Sequence, residues 1–421
     1  MKLDLTDLIC ALSFSLDKVE YELLGVETGH GRRVACLCLY MAEYAGIRGE
    51  ELRDYFGCCV LHDNALTEFI YEELDNFKHI TDEFGQRLSE VINVEFVDNN
   101  SNHSKIGERN IHLVPFRTDI DNIVLYHHEH ADGSGPMGIT SAKTNLKTQI
   151  LHLADEVDIR YKLSGLTESE FNKLAEWVQS QSGKLFSEKA VQLFLEAVTY
   201  DKILYLKNKG AFNSLKRELN TVTCNYSDEE IHSFAGMFAR IIDYKSAFTQ
   251  THSLGVADKA EQMANYYGFD HEKATRLYLA GALHDIGKLL VSNDILEKAG
   301  KLTDDEFSAM KDHASATRYV LRLVKGIPDI VRWSSNHHEK LNGKGYPRGL
   351  TADELSFEER LMACVDIYQA LTEQRPYKDG FPHEKAIAIM QDMVDKGEID
   401  ATIVHDMDVV MADGSKPLTN K

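Results

Sequence analysis

The sequence predicts an all-α protein organised as two tandem helical bundles, on three observations. Apolar residues recur at helical spacing between explicit start and stop signals. Alternating strand patterns are scarce, and only seven of the 421 residues are proline. A long stretch of the chain is written twice. A prior of about 150 residues per domain fits two or three domains, each able to bury a core.

Taken in order, a first unit is expected at about 1–160. In it Gly29-His30-Gly31-Arg32-Arg33-Val34-Ala35 opens a helix that closes at Tyr44-Ala45-Gly46, with Arg32-Arg33 read as a solvated pair. A helical connector follows at about 161–235, where Thr167-Glu168-Ser169-Glu170 is a capping box and no Pro-, Gly- or Ser-rich run suggests a loose linker. The second unit occupies 236–421. Leu254, Ala257, Ala260, Met263, Ala264 and Tyr267 mark one helical face, and Gly268 stops it. The apolar run Leu279 to Leu283 ends in His284-Asp285-Ile286-Gly287-Lys288. Thr303-Asp304-Asp305-Glu306 caps the helix that carries His313.

The repeat is defined by histidine spacing. His30 to His62 is 32 positions, and so is His252 to His284; both arrive at His-Asp. His103 to His127 is 24, and so is His313 to His337; both arrive at His-His-Glu. His127 to Asp155 is 28 and His337 to Asp366 is 29. That single difference matches the tyrosine missing before Pro136. Chance can supply one such match but not several that end on the same residue types. Each copy therefore holds five histidines and two aspartates as potential ligands.

Composition narrows the chemistry. With 46 basic and 67 acidic residues the net charge is −21, which disfavours polynucleotides and anionic membranes as partners. The seven cysteines are scattered, odd in number and free of Cys-x-x-Cys spacing, so they read as reduced thiols of a cytoplasmic protein and not as a zinc site. No run of 18 apolar residues is present, and the acidic N-terminus does not read as a signal peptide.

In the second copy the donors are His252, His284, Asp285, His313, His337, His338 and Asp366. A buried carboxylate beside an imidazole is costly without a positive partner, and a metal ion is the simplest one. Nitrogen and oxygen donors without thiolate favour iron or manganese, with zinc, nickel and magnesium admissible. Seven donors exceed the needs of one ion, so two divalent ions with Asp285 between them are expected, holding a bridging hydroxide that attacks a phosphate. Lys288, one turn after Asp285, is expected to act with it in catalysis by offsetting charge on the phosphoryl group. Glu339 is expected to orient an imidazole.

The combination of His284-Asp285-Ile286-Gly287-Lys288, His337-His338-Glu339-Lys340-Leu341-Asn342-Gly343-Lys344-Gly345-Tyr346-Pro347 and Arg375-Pro376-Tyr377 resembles the HD-GYP family of phosphohydrolases. The resemblance covers about 245–380 and implies two tandem HD-domain-like bundles, a degenerate N-terminal copy and an intact C-terminal copy. It also implies hydrolysis of a 3′–5′ cyclic dinucleotide, 3′,3′-cyclic GMP-AMP or cyclic di-GMP, to the linear 5′-phosphorylated dinucleotide. Gly343, Tyr346 and Arg375, with Lys288, become candidate substrate contacts, and the 342–347 loop a candidate contact for a partner protein or a second copy. Two departures matter. Asn342 stands where the family carries an acid. Phe248 stands where members with a third metal carry a glutamate, so two ions are expected. A non-catalytic cyclic-dinucleotide receptor and a hydrolase of another nucleotide are the competing readings.

The first copy keeps His30, His62, Asp63, His103, His127, His128 and Asp155 but has Leu66 in the place of Lys288 and no counterpart of Arg375-Pro376-Tyr377. The ligands survive while the groups that would meet substrate do not, so the copy could still hold metal in a regulatory or structural role, with a second, weak active site as the alternative.

Overall fold

The computed structural model describes the chain except residues 74–96, 98–99, 208–209, 220–221, 246–250, 297, 299, 375–378 and 413–421. Among the described residues the fold is helical, and the strands are the two-residue segments Lys2–Leu3 and Cys224–Asn225. The chain divides into two compact units, Asp4–Cys224 and Asn225–Lys421 with Met1–Leu3. The expected connector is thus shared at that boundary: 161–224 belongs to the first unit and 225–235 to the second.

In the first unit, α1 (Leu5–Leu24) starts where the Asp4 carboxylate accepts the Asp7 amide at 2.9 Å, and it stops at Gly25, whose φ of 68° suits the absence of a side chain. Helices α2 (His30–Tyr44), α3 (Gly49–Val60), α4 (Ser101–Ile111) and α5 (Leu146–Tyr161) follow. Helix α2 lies against both α3 and α5; Val34, Leu37 and Met41 on α2, Phe56 on α3 and Leu151 and Ala154 on α5 are all buried. Each large apolar side chain so buried contributes roughly 1.5–3 kcal/mol. Helices α6 (Glu168–Ser180), α7 (Glu188–Ala197), α8 (Tyr200–Leu206) and α9 (Ala211–Glu218) complete the unit, and the Thr167–Glu170 capping box is formed.

The second unit opens with α10 (Asp228–Tyr244), capped by a reciprocal Ser227–Glu230 box. Then come α11 (His252–Tyr266), α12 (His271–Leu283) and a tight 3₁₀ segment, Ile286–Leu290. Helices α13 (Asn293–Leu296), α14 (Asp304–Leu321), α15 (Pro328–Ser335), α16 (Phe357–Thr372), α17 (His383–Asp395) and α18 (Ala401–Met411) follow. Helices α11 and α12 pack most closely, since a β-carbon on Gly281 would lie 2.7 Å from the Ala257 Cα. Thr303 and Glu306 form the expected box at the start of α14. Among the described residues no helix is long and apolar enough to cross a membrane.

Candidate metal centres

Every donor of the second unit except the half-buried His338 is buried, at an element end or on a helix face. His252 is the first residue of α11, His284 caps α12, Asp285 starts the 3₁₀ segment, His313 lies within α14, His337 and His338 follow α15, and Asp366 lies within α16. The close approach of the turn to α14 demands a glycine: a β-carbon on Gly287 would fall 2.0 Å from the His313 carbonyl oxygen and 2.6 Å from the Thr317 amide. Thr317, fully buried, ties the two together. Its hydroxyl accepts the Gly287 N–H at 3.0 Å and donates to the His284 carbonyl at 2.9 Å. Sequence spacing gave no sign of this residue.

The donors fall into two groups that meet at Asp285. His252 Nε2 lies 3.1 Å from Asp366 Oδ1, and His284 Nε2 lies 3.7 Å from the same oxygen. Asp285 Oδ2 is 3.2 Å from His284 Nε2, while its Oδ1 is 3.4 Å from His313 Nε2 and 3.9 Å from His337 Nε2. His338 Nδ1 is 3.7 Å from Asp366 Oδ2. Donor atoms of His252, His284 and Asp366 all lie within 4.8 Å of one another, as do those of His313, His337 and His338.

The imidazoles are preset for coordination. Nδ1 of His284, His313 and His337 donates to the carbonyl three residues earlier, at 2.7, 2.6 and 2.5 Å. This leaves each Nε2 lone pair facing the cluster. His284 Nε2 and Asp285 Oδ1 are buried without a hydrogen-bond partner among the described residues. Such orphaned atoms cost roughly 1–3 kcal/mol each unless a cation meets them, so the residues fit divalent metal.

Electrostatics follow from crowding. Burial opposes charge on His252, but the hydrogen bonds its ring donates to Asp366 and Glu373 outweigh it and lift its pKa to about 9. Burial, with Asp366 pulling the other way, lowers His338 to about 4, and burial and the neighbouring imidazoles hold His337 well below the usual range. Burial opposes ionisation of Asp285, yet His284 and Lys288 keep it ionised far below a normal carboxylate. Lys288 forms an ion pair with Asp285 Oδ2 and keeps its proton because that carboxylate outweighs burial.

Glu339 does not orient an imidazole. Its carboxylate accepts the amides of Arg348 at 2.7 Å and Leu350 at 2.9 Å, bracing the following loop. The carboxylate on the other nitrogen of the His252 ring is that of Glu373, 3.1 Å from Nδ1. Within the loop, Gly343 has φ 74° and gives its N–H to Lys340 O at 2.9 Å, so it shapes a turn and its amide is not offered to a ligand. Tyr346 does reach the site, its ring centroid 4.7 Å from that of His338 and 6.3 Å from that of His313. Burial and the nearby Asp366 and Asp285 keep its phenol protonated. Arg375 and Phe248 lie outside the described residues.

The first unit repeats the arrangement. His30 Nε2 is 3.0 Å from Asp155 Oδ1, and His62 Nε2 is 3.6 Å from it. Asp63 presents Oδ2 to His62 at 3.5 Å and Oδ1 to His103 and His127 at 3.2 and 3.9 Å. His128 Nδ1 is 3.9 Å from Asp155 Oδ2. The ring spacings agree too: 5.4 Å for His30–His62 against 5.3 Å for His252–His284. The second carboxylate on the leading histidine comes from elsewhere in the chain. Asp158 Oδ2 holds His30 Nδ1 at 2.8 Å, and the same carboxylate pairs with Arg33 at 2.7 and 2.8 Å. Arg33 is therefore buried in an ion pair, and Arg32 binds Asp17 at 2.5 Å; neither is merely solvated.

Residues 236–403 match the HD domain family. Over 90% of its length the chain is 28% identical to 3′3′-cGAMP-specific phosphodiesterase 1 of Vibrio cholerae, covering 86% of that protein. It is 32% identical to 3′3′-cGAMP-specific phosphodiesterase 3 of the same organism over 63% of this chain and 57% of the relative. A crystal structure of a cyclic GMP-AMP-specific phosphodiesterase of V. cholerae superposes with a TM-score of 0.63 at 22% identity, covering 99% of this chain and 100% of that one, so the fold is shared. Residues 236–403 therefore match an HD domain, and the chain as a whole is similar to cyclic-dinucleotide phosphodiesterases.

Proposed function

We propose that the second unit hydrolyses a 3′–5′ cyclic dinucleotide to the linear 5′-phosphorylated form, with 3′,3′-cyclic GMP-AMP ahead of cyclic di-GMP as substrate. The carrying observation is the pair of donor groups that share Asp285. The similarity to cGAMP-specific enzymes along most of the chain supports the substrate class. His252, His284, Asp366 and Asp285 would hold one divalent ion, and Asp285, His313, His337 and His338 a second, with iron or manganese suited to these donors. Bound there, the ions supply a nucleophile at neutral pH and neutralise phosphate charge.

The chain's own groups do the rest. Lys288, held protonated at the edge of the cluster and 23% exposed, would meet a non-bridging phosphate oxygen. His338, whose side chain is 28% exposed, and Tyr346 border the approach, where the aromatic ring can pack on a nucleobase or ribose. Glu339 fixes the loop that carries Tyr346. The test is product analysis of manganese- or iron-loaded protein with 3′,3′-cyclic GMP-AMP, cyclic di-GMP and cyclic di-AMP. The proposal expects a linear product and fastest turnover of the hybrid. Binding without turnover in metal-replete protein overturns it.

A further inference from the structure

The first unit contains a cluster that substrate chemistry does not explain. His30, His62, Asp63, His103, His127, His128 and Asp155 reproduce the second unit's donor geometry to within a few tenths of an ångström in most of the distances compared. Nδ1 of His62 and His127 donates to a carbonyl three residues back, at 3.0 and 2.5 Å, directing Nε2 inward. Among the described residues, Nε2 of His62, of His103 and of His127 is buried and makes no hydrogen bond. Three unpartnered Nε2 atoms beside the buried Asp155 carboxylate and the largely covered Asp63 carboxylate are a poor core and a good cation cage. Had the copy decayed into ordinary packing, at least one of these polar groups would be expected to have been replaced by an apolar one.

The surroundings differ from those of the second unit. Leu66, buried, stands where Lys288 reaches its aspartate, and it belongs to an apolar cluster with Ala65, Phe69, Ile70, Val97 and Ile106. The Phe69 ring lies 6.0 Å from the His103 ring. His128 is 5% exposed where His338 is 28% exposed. Gly135 and Pro136 follow without a tyrosine between them. Among the described residues the cluster thus lacks the counterparts of Lys288 and Tyr346, and its His128 imidazole is nearly closed off from solvent.

We propose that the first unit is a second metal centre for divalent transition-metal ions, bound by these seven side chains in a pocket closed to phosphodiesters, where the ions stabilise the fold and take no part in turnover. This assignment does not depend on the substrate of the second unit.

The test uses the full chain with the second centre disabled by His284→Ala and Asp285→Ala, a change that leaves the first unit untouched. Loaded with Mn²⁺ alone and desalted, this variant is expected to keep about half the metal of the parent chain, measured by elemental analysis. Adding His62→Ala and Asp63→Ala is expected to remove the remainder. In a Trp333→Phe background, Trp177 reports the first unit, and Mn²⁺ is expected to raise its unfolding midpoint over the chelated protein. A metal-free His284→Ala/Asp285→Ala variant, or an unshifted Trp177 transition, overturns the proposal. So does hydrolysis of bis(p-nitrophenyl) phosphate by that manganese-loaded variant, because the pocket would then be open.

Discussion

Replacing Thr317 by valine removes one hydroxyl and preserves shape, so it isolates the tie between the His284–Asp285 turn and α14. Thr317 is fully buried, and its hydroxyl serves two backbone groups, the Gly287 N–H and the His284 carbonyl. Each buried backbone group left without a partner costs about 1–3 kcal/mol. Thr317→Val is thus expected to destabilise the second unit by at least about 2 kcal/mol, and its midpoint should fall by at least about 4 °C for a unit of this size. Thr317→Ser, which keeps the hydroxyl and loses one methyl, should cost only about 1 kcal/mol. The assay is thermal unfolding of chelated protein in a Trp177→Phe background, with Trp333 as reporter, alongside metal content after loading. Because the turn carries Asp285, the valine variant should also bind metal more weakly. A valine variant that unfolds within a degree of the parent and loads metal equally well would refute the role of Thr317.

Three other outcomes are expected. Lys288→Met should lower kcat by about 10²–10³ at full metal content, the scale of losing one preorganised charge partner in the transition state; a kcat within threefold of the parent would remove Lys288 from catalysis. Glu339→Gln weakens two charge-assisted bonds to the Arg348 and Leu350 amides, so amide exchange over 342–350 should speed up and KM should rise several-fold, while unchanged exchange would show that the loop holds itself. The pH dependence has a defined sign: His252, lifted to about 9 in the metal-free centre, is protonated at pH 7 and must lose that proton to coordinate. Metal loading at pH 7 should therefore release protons, and affinity should weaken as pH falls below 9; calorimetry in buffers of different ionisation enthalpy reads this directly, and zero release would contradict it.

The side chains that gather in the two clusters were legible because candidate ligands leave a chemical signature at a fixed distance along a repeated chain. Matching intervals of 32 and 24 residues suffice to pair His30 with His252 and His103 with His313 before any fold is known. Helices were legible where caps are local, as at Thr167 and Thr303. The supporting groups were not. Glu373 and Asp158 serve equivalent ring nitrogens from different places in the two copies, so no spacing rule relates them. Thr317 acts through tertiary contact alone. Arg33 looked like half of a solvated pair because only the folded chain brings Asp158 beside it. Glu339 sits next to two ligands in sequence but faces the backbone of its own loop, and adjacency misassigned it.

The most direct measurement is hydrolysis of 3′,3′-cyclic GMP-AMP by this chain at defined metal content, run beside the His284→Ala/Asp285→Ala variant. Two ions gripped around Asp285 predict linear 5′-phosphorylated product from the parent and none above background from the variant. Equal turnover by the two proteins would place the chemistry elsewhere and contradict the account.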